Sequence, residues 1–196
     1  MKRIKNSLKI TAILCVFFFL LSCNHLEDDS TSSSMLLILY ITGTTIEGDD
    51  VSFLQSDVVI EGLVHADIVT ATLQAKLLNP QPYVPQASQY TSIVVTRYVV
   101  SFSRSDGQNT PGVDVPYSFE GSLSTLIEID DTVDISFVIV REVAKFEPPL
   151  LDLRDGGDEL VLQTTATIDF YGHDLVNNAV KATGYLTIFF GDWIDQ

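Results

Sequence analysis

A two-residue alternation of apolar and polar side chains recurs along most of this chain, and nothing else constrains its folding as strongly. Over residues 159–170, Leu160, Leu162, Thr164, Ala166, Ile168 and Phe170 share one side. Over residues 179–190, Val180, Ala182, Gly184, Leu186, Ile188 and Phe190 do the same. Successive side chains of a strand point to opposite faces, so this period demands half-buried strands. A helix would repeat its apolar positions every three to four residues. These two runs, separated by a polar connection, read as a β-hairpin with a longer loop. Residues 68–78 place Val69, Ala71, Leu73, Ala75 and Leu77 inward, with Thr70, Thr72, Gln74 and Lys76 toward water. Alanine and leucine make a helix the competing reading there, but the strict alternation and the threonines favour a strand.

Further strands are expected over residues 35–42, 51–54 and 58–64, the last two separated by a turn at 55–57. Residues 91–103 form a long strand with Val94, Tyr98, Val100 and Phe102 on one face. Residues 117–129 hold a strand interrupted near Gly121. Residues 132–143 place Val133, Ile135, Phe137 and Ile139 on one side, while Val138 and Val140 make the other side apolar as well. Coverage on both faces predicts a central strand. Between these runs lie turn signals: Pro80, Pro82 and Pro85, Asp106-Gly107, Pro111-Gly112, and Gly156-Gly157. Eight or nine strands without a long amphipathic helix predict an all-β fold. The expected form is an antiparallel β-sandwich, immunoglobulin-like in architecture, with a small closed β-barrel as the alternative. The Cys…Trp…Cys arrangement of true immunoglobulin domains is absent.

The N-terminus has a different texture. Lys2, Arg3, Lys5 and Lys9 precede an almost wholly apolar run over residues 10–21. A membrane-spanning helix needs about 20 such residues, so the run fits the apolar core of a signal peptide. It ends in Leu20-Leu21-Ser22-Cys23. This segment resembles the lipobox of the bacterial lipoprotein family. The resemblance implies a thioether-linked diacylglycerol on Cys23, cleavage after Ser22, and acylation of the new amino group. Asn24, where an aspartate marks inner-membrane retention in enteric bacteria, resembles an outer-membrane address. One acyl chain holds a protein only marginally, whereas two or three hold it stably. Residues 24–34 read NHLEDDSTSSS, a polar flexible tether. The expected organisation is therefore a signal peptide over 1–22, a lipidated cysteine and tether over 23–34, and one β-sandwich domain over 35–196.

Composition bounds the partners. Hydrophobic residues make up 46% of the chain and charged residues 19%, which excludes a disordered protein. The net charge of −15 argues against nucleic acid, whose binding rewards a basic surface. Removing the four basic residues of the signal leaves 7 bases against 26 acids, a net −19. Cys15 leaves with the signal and Cys23 is consumed by lipid, so the domain carries neither disulfide nor free thiol. Its stability has to come from its core.

Chemistry-bearing motifs are sparse. There is no G-x-S-x-G elbow, no P-loop and no dinucleotide-binding glycine pattern. Outside the tether, histidine is limited to His65 and to His173, which sits beside Asp174. No catalytic residue is assigned. Asp152, Asp155, Asp158 and Glu159 surround Gly156-Gly157 and could supply oxygens to calcium, against a plain solvated turn as the competing reading. Asp130, Asp131 and Asp134 form a second acidic group. Arg97, Arg141 and Lys145 are expected in salt bridges. Tyr83 and Tyr90, within and beside the proline-rich connection, are candidate binding residues on a loop of a rigid scaffold, or pack over the core end. Phe189, Phe190, Trp193 and Ile194 are expected to cap the last strand. The expected function is a membrane-anchored, non-catalytic lipoprotein of the cell outer membrane, on its periplasmic or outer face. It would act as a binding, assembly or structural module whose partners are the membrane, through the anchor, and an envelope protein. The alternatives are a calcium-dependent adhesion domain and a carboxylate-based envelope hydrolase.

Overall fold

The alternating runs pair into two sheets packed face to face. The structure, a computed structural model, describes residues 32–60, 62–79, 89–154 and 160–193. Its strands are β1 (Ser34–Thr44), β2 (Asp50–Val51), β3 (Phe53–Asp57), β4 (Asp67–Leu77), β5 (Ile93–Ser103), β6 (Phe119–Ile127), β7 (Thr132–Val140), β8 (Leu162–Asp174) and β9 (Ala179–Gly191). One sheet has the order β2-β1-β4-β7 and the other β3-β9-β8-β5-β6. The orders β1-β4-β7 and β9-β8-β5 are those of strands A-B-E and G-F-C in an immunoglobulin-like sandwich. Strand β6 extends the second sheet beside β5. The sheets are hydrogen-bonded separately, so the fold is a sandwich and not a closed barrel. Among the described strands all pairings are antiparallel except one: β3 runs parallel to β9, with Leu54 opposite Ile188.

The inward faces fill one core. Leu36, Val69, Ala71, Leu73, Ile135, Phe137 and Ile139 come from the first sheet. Val100, Ala166, Ile168, Phe170, Leu186, Ile188 and Phe190 come from the second. Each fully buried side chain of the larger kinds contributes about 1.5–3 kcal/mol. Phe137 bridges the layers, with its ring centroid 4.9 Å from Tyr98 and 5.3 Å from Phe170.

Five local expectations are corrected. Residues 55–57 belong to β3 rather than to a turn, and among the described residues of 58–64 there is only an isolated bridge between Ile60 and Leu63. Strand β7 is an edge strand of its sheet, not a central one. Ile139 and Val140 at its end are both buried where the chain runs on into the 3-10 turn Glu142–Phe146, whose Ala144 joins the same core, while Val138 is half-buried opposite the exposed Ile68. In β5 a bulge between Val95 and Arg97 switches the inward phase from Ile93 and Val95 to Tyr98, Val100 and Phe102. Val94 therefore lies on the face opposite Tyr98. Gly121 does not interrupt its strand. It lies within β6 opposite Tyr98, whose ring occupies the space a Cβ would need.

Candidate functional site

The outward face of the first sheet carries a shallow groove of about 250 Å³. Two cross-strand rows build it. One aligns Thr42 and Thr70, a row that Ser136 continues outside the lining; the other aligns Tyr40, Thr72 and Asp134. The hydroxyl oxygens of Thr70 and Ser136 are 3.0 Å apart. Thr72 Oγ1 donates to Asp134 Oδ1 at 2.6 Å. Strand β2 brings Asp50 opposite Thr44 at the rim, and Ile68 supplies an aliphatic wall.

Tyr40 owes its place to a second bulge. Ser34, Leu36 and Ile38 alternate inward, and strict continuation would turn residue 40 into the core. The pairing skips from Ile38 to Tyr40, which sends Tyr40 outward and Ile41 inward. A bulge has no composition of its own here, so this groove was hidden in the sequence. Its lining offers hydroxyls, two carboxylates, a phenol ring and no basic side chain. Such a surface hydrogen-bonds neutral, hydroxyl-bearing ligands and repels anions. The lining contains neither histidine nor cysteine.

Of the residues singled out in the sequence, Cys23, Tyr83, Asp155, Asp158, Glu159 and Ile194 lie outside the described residues. Asp152 lies in the exposed 3-10 turn Leu151–Leu153. Among the described residues no group of three or more His, Cys, Asp or Glu side chains converges as a metal site. Tyr90 is exposed in the turn Gln89–Thr91, and its carbonyl accepts the Leu175 N–H at 3.2 Å.

His173 and Asp174 do not form a dyad. His173 Nδ1 lies 2.9 Å from the Asp174 backbone oxygen, while the Asp174 carboxylate is buried and organises the β8–β9 loop. It accepts the Ser32 hydroxyl at 2.9 Å, the Val176 N–H at 3.1 Å, and the backbone and side-chain N–H groups of Asn178, both at 2.8 Å. Burial acts to raise its pKa, but the Asn178, Ser32 and Val176 donors outweigh burial and hold it below the usual carboxylate range.

Of the three basic residues expected in salt bridges, Arg97 and Lys145 form them; Arg141 makes none among the described residues and packs on an aromatic ring instead. Arg97 reaches Glu120 at 3.4 Å and lies 3.9 Å from the centre of the Tyr171 ring. Lys181 stands over the same ring at 5.3 Å and pairs with Asp169 at 3.0 Å. Arg141 stacks on Phe119. Lys145, in the turn after β7, is fully buried. Its ammonium donates to the Asp57 carbonyl at 2.6 Å and to Asp67 Oδ1 at 3.0 Å, while Ser56 donates to Asp67 Oδ2 at 2.6 Å. Burial pushes the Asp67 pKa above its ordinary value, against the pull of Lys145, Ser56 and His65. At the C-terminal end Phe190 is buried, Phe189 packs edge-on against Phe53, and the Trp193 ring lies over Gly191, capping β9.

No protein-family model matches the chain, and neither does any curated protein.

Proposed function

We propose that this chain is a lipid-anchored, non-catalytic binding module of the bacterial outer membrane, with the β-sandwich held close to the bilayer by its tether. The observation that carries this reading is the ordered series of basic zone, apolar run and Leu20-Leu21-Ser22-Cys23. The hydroxyl-lined groove on the first sheet supports the binding role: it is concave, solvent-facing and built on rigid strands, and its polar groups suit a neutral ligand. Asn24 and the absence of any other cysteine after residue 23 are consistent with the same reading.

The test is metabolic labelling of the full chain in a bacterial host with an alkyne-tagged fatty acid. The expected result is label in the wild-type protein, loss of label in Cys23→Ser, and recovery of the labelled protein with outer-membrane fractions on a density gradient. An unlabelled wild-type protein would overturn the proposal.

A further inference from the structure

The geometry points to a membrane-seating face at the end of the sandwich where the tether leaves it, formed by Leu78, Tyr90, Leu175 and Val176. The inference rests on the lipid anchor proposed above, and adds that the domain lies down on the bilayer through these four side chains instead of swinging free.

A chain of contacts gathers them around the tether exit. The Ser33 carbonyl accepts the Leu78 N–H at 2.9 Å, the Ser34 hydroxyl donates to the Thr91 carbonyl at 2.6 Å, and the Leu175 N–H donates to the Tyr90 carbonyl at 3.2 Å. The Ser32 hydroxyl on Asp174 fastens the first described residue of the chain to the β8–β9 loop. Around that point the apolar side chains face solvent: Leu78 is 57% exposed, Tyr90 66%, Leu175 44% and Val176 58%. Leucine and valine at loop tips beside a tyrosine suit the boundary between headgroups and acyl chains, where an amphipathic ring is at home.

The tether length identifies the occupant. Nine residue steps separate Cys23 from Ser32, and a coil of that length would average roughly 16 Å end to end. Acyl chains on Cys23 would keep the bilayer surface at high effective concentration beside this end and no other. The attraction is apolar. Among the described residues, the β6–β7 connection brings Glu128, Asp130 and Asp131 to the same end, with Lys76 paired to Asp130 at 3.8 Å. Anionic lipid should therefore not be required.

The test uses the full-length lipidated protein in liposomes. Because lipid occupies Cys23 and Cys15 leaves with the signal, a Val176→Cys variant takes a polarity-sensitive fluorophore at one place. Val113→Cys, 64% exposed in the β5–β6 loop at the opposite end, is the control. In phosphatidylcholine vesicles containing acyl-chain quenchers, the label at residue 176 should be quenched at least about threefold more than the label at residue 113. Flotation of both proteins with the vesicles reports the anchor separately. Floating protein with equal quenching at the two positions overturns the seating face and leaves the anchor intact. Protein that does not float overturns the anchor and the seating face with it. Quenching that arises only with phosphatidylglycerol overturns the apolar mode of docking.

Discussion

Lys145 is the residue on which three separate elements meet. It fastens the end of β3 through the Asp57 carbonyl and the start of β4 through Asp67, while sitting itself in the turn after β7. Removing one member of a buried pair leaves an uncompensated charge, which costs about 3–5 kcal/mol. Lys145→Met should therefore destabilise the protein by an amount in that range. Lys145→Met combined with Asp67→Leu should recover a large part of the loss, and denaturant unfolding of the two variants decides the matter. Proton linkage separates the two buried aspartates. Asp67 has a raised pKa, so its contribution is fullest below the ordinary value of 3.8 and declines as pH rises through the folded-state pKa. Asp174 has a lowered pKa, so its contribution is present above 3.8 and lost as pH falls through the folded-state value. Asp174→Asn should flatten the loss of stability on the acid side of 3.8. An unchanged acid limb in the variant, followed by circular dichroism, would count against this assignment. Neither aspartate stood out in the sequence as a buried carboxylate. Asp174 was noticed only as a neighbour of His173, and its actual partners, Ser32 and Asn178, are visible only once β1 and the β8–β9 loop come together.

The elements themselves were largely legible, because period-two alternation is a direct image of the pleat. It located β4, β8 and β9 and the sides they bury, and it located β5, while β1 was legible only as an apolar run. It failed where the backbone breaks its own period. The bulge in β5 moved Val94 off the Tyr98 face, and the bulge in β1 turned Tyr40 out to wall the groove. It also misplaced β7, since an apolar edge strand running into a buried turn has the same local composition as a central strand. Gly121 shows the reverse error, for a glycine that reads as a break is a packing device. A Cβ at this position would run into the Tyr98 ring, which is itself held against Phe119 and Phe137. Gly121→Val should cost about 1–3 kcal/mol through overpacking. The same substitution made in a Tyr98→Leu background should cost less, because the obstructing ring is gone. Thermal melts of the double-mutant cycle measure the difference, and equal costs in both backgrounds would show that Tyr98 is not the obstacle.

At the scale of the molecule, charge and core pull in opposite directions. Residues 23–196 carry 7 bases against 26 acids. The exposed pairs Arg97–Glu120 and Lys76–Asp130 neutralise little of this, and such pairs are worth about 0–1 kcal/mol each. The excess acids repel one another more strongly in the compact state than in the expanded chain. The core must overcome that repulsion without a disulfide, which is the sense in which the alternation noted at the outset carries the stability of the whole domain. Screening weakens interactions between exposed charges beyond about 10 Å at 0.1 M salt. Two opposed effects follow: salt weakens the few surface ion pairs, and it relieves the much more numerous acid–acid repulsions. With the bases outnumbered nearly four to one, relief should dominate. The melting temperature of the purified protein at neutral pH should therefore rise as sodium chloride is increased from about 0.01 M to about 0.2 M, the range over which the Debye length shrinks from roughly 30 Å to below 10 Å. A fall over the same range would mean that specific surface ion pairs, and not the general acidic excess, govern the electrostatics of the fold.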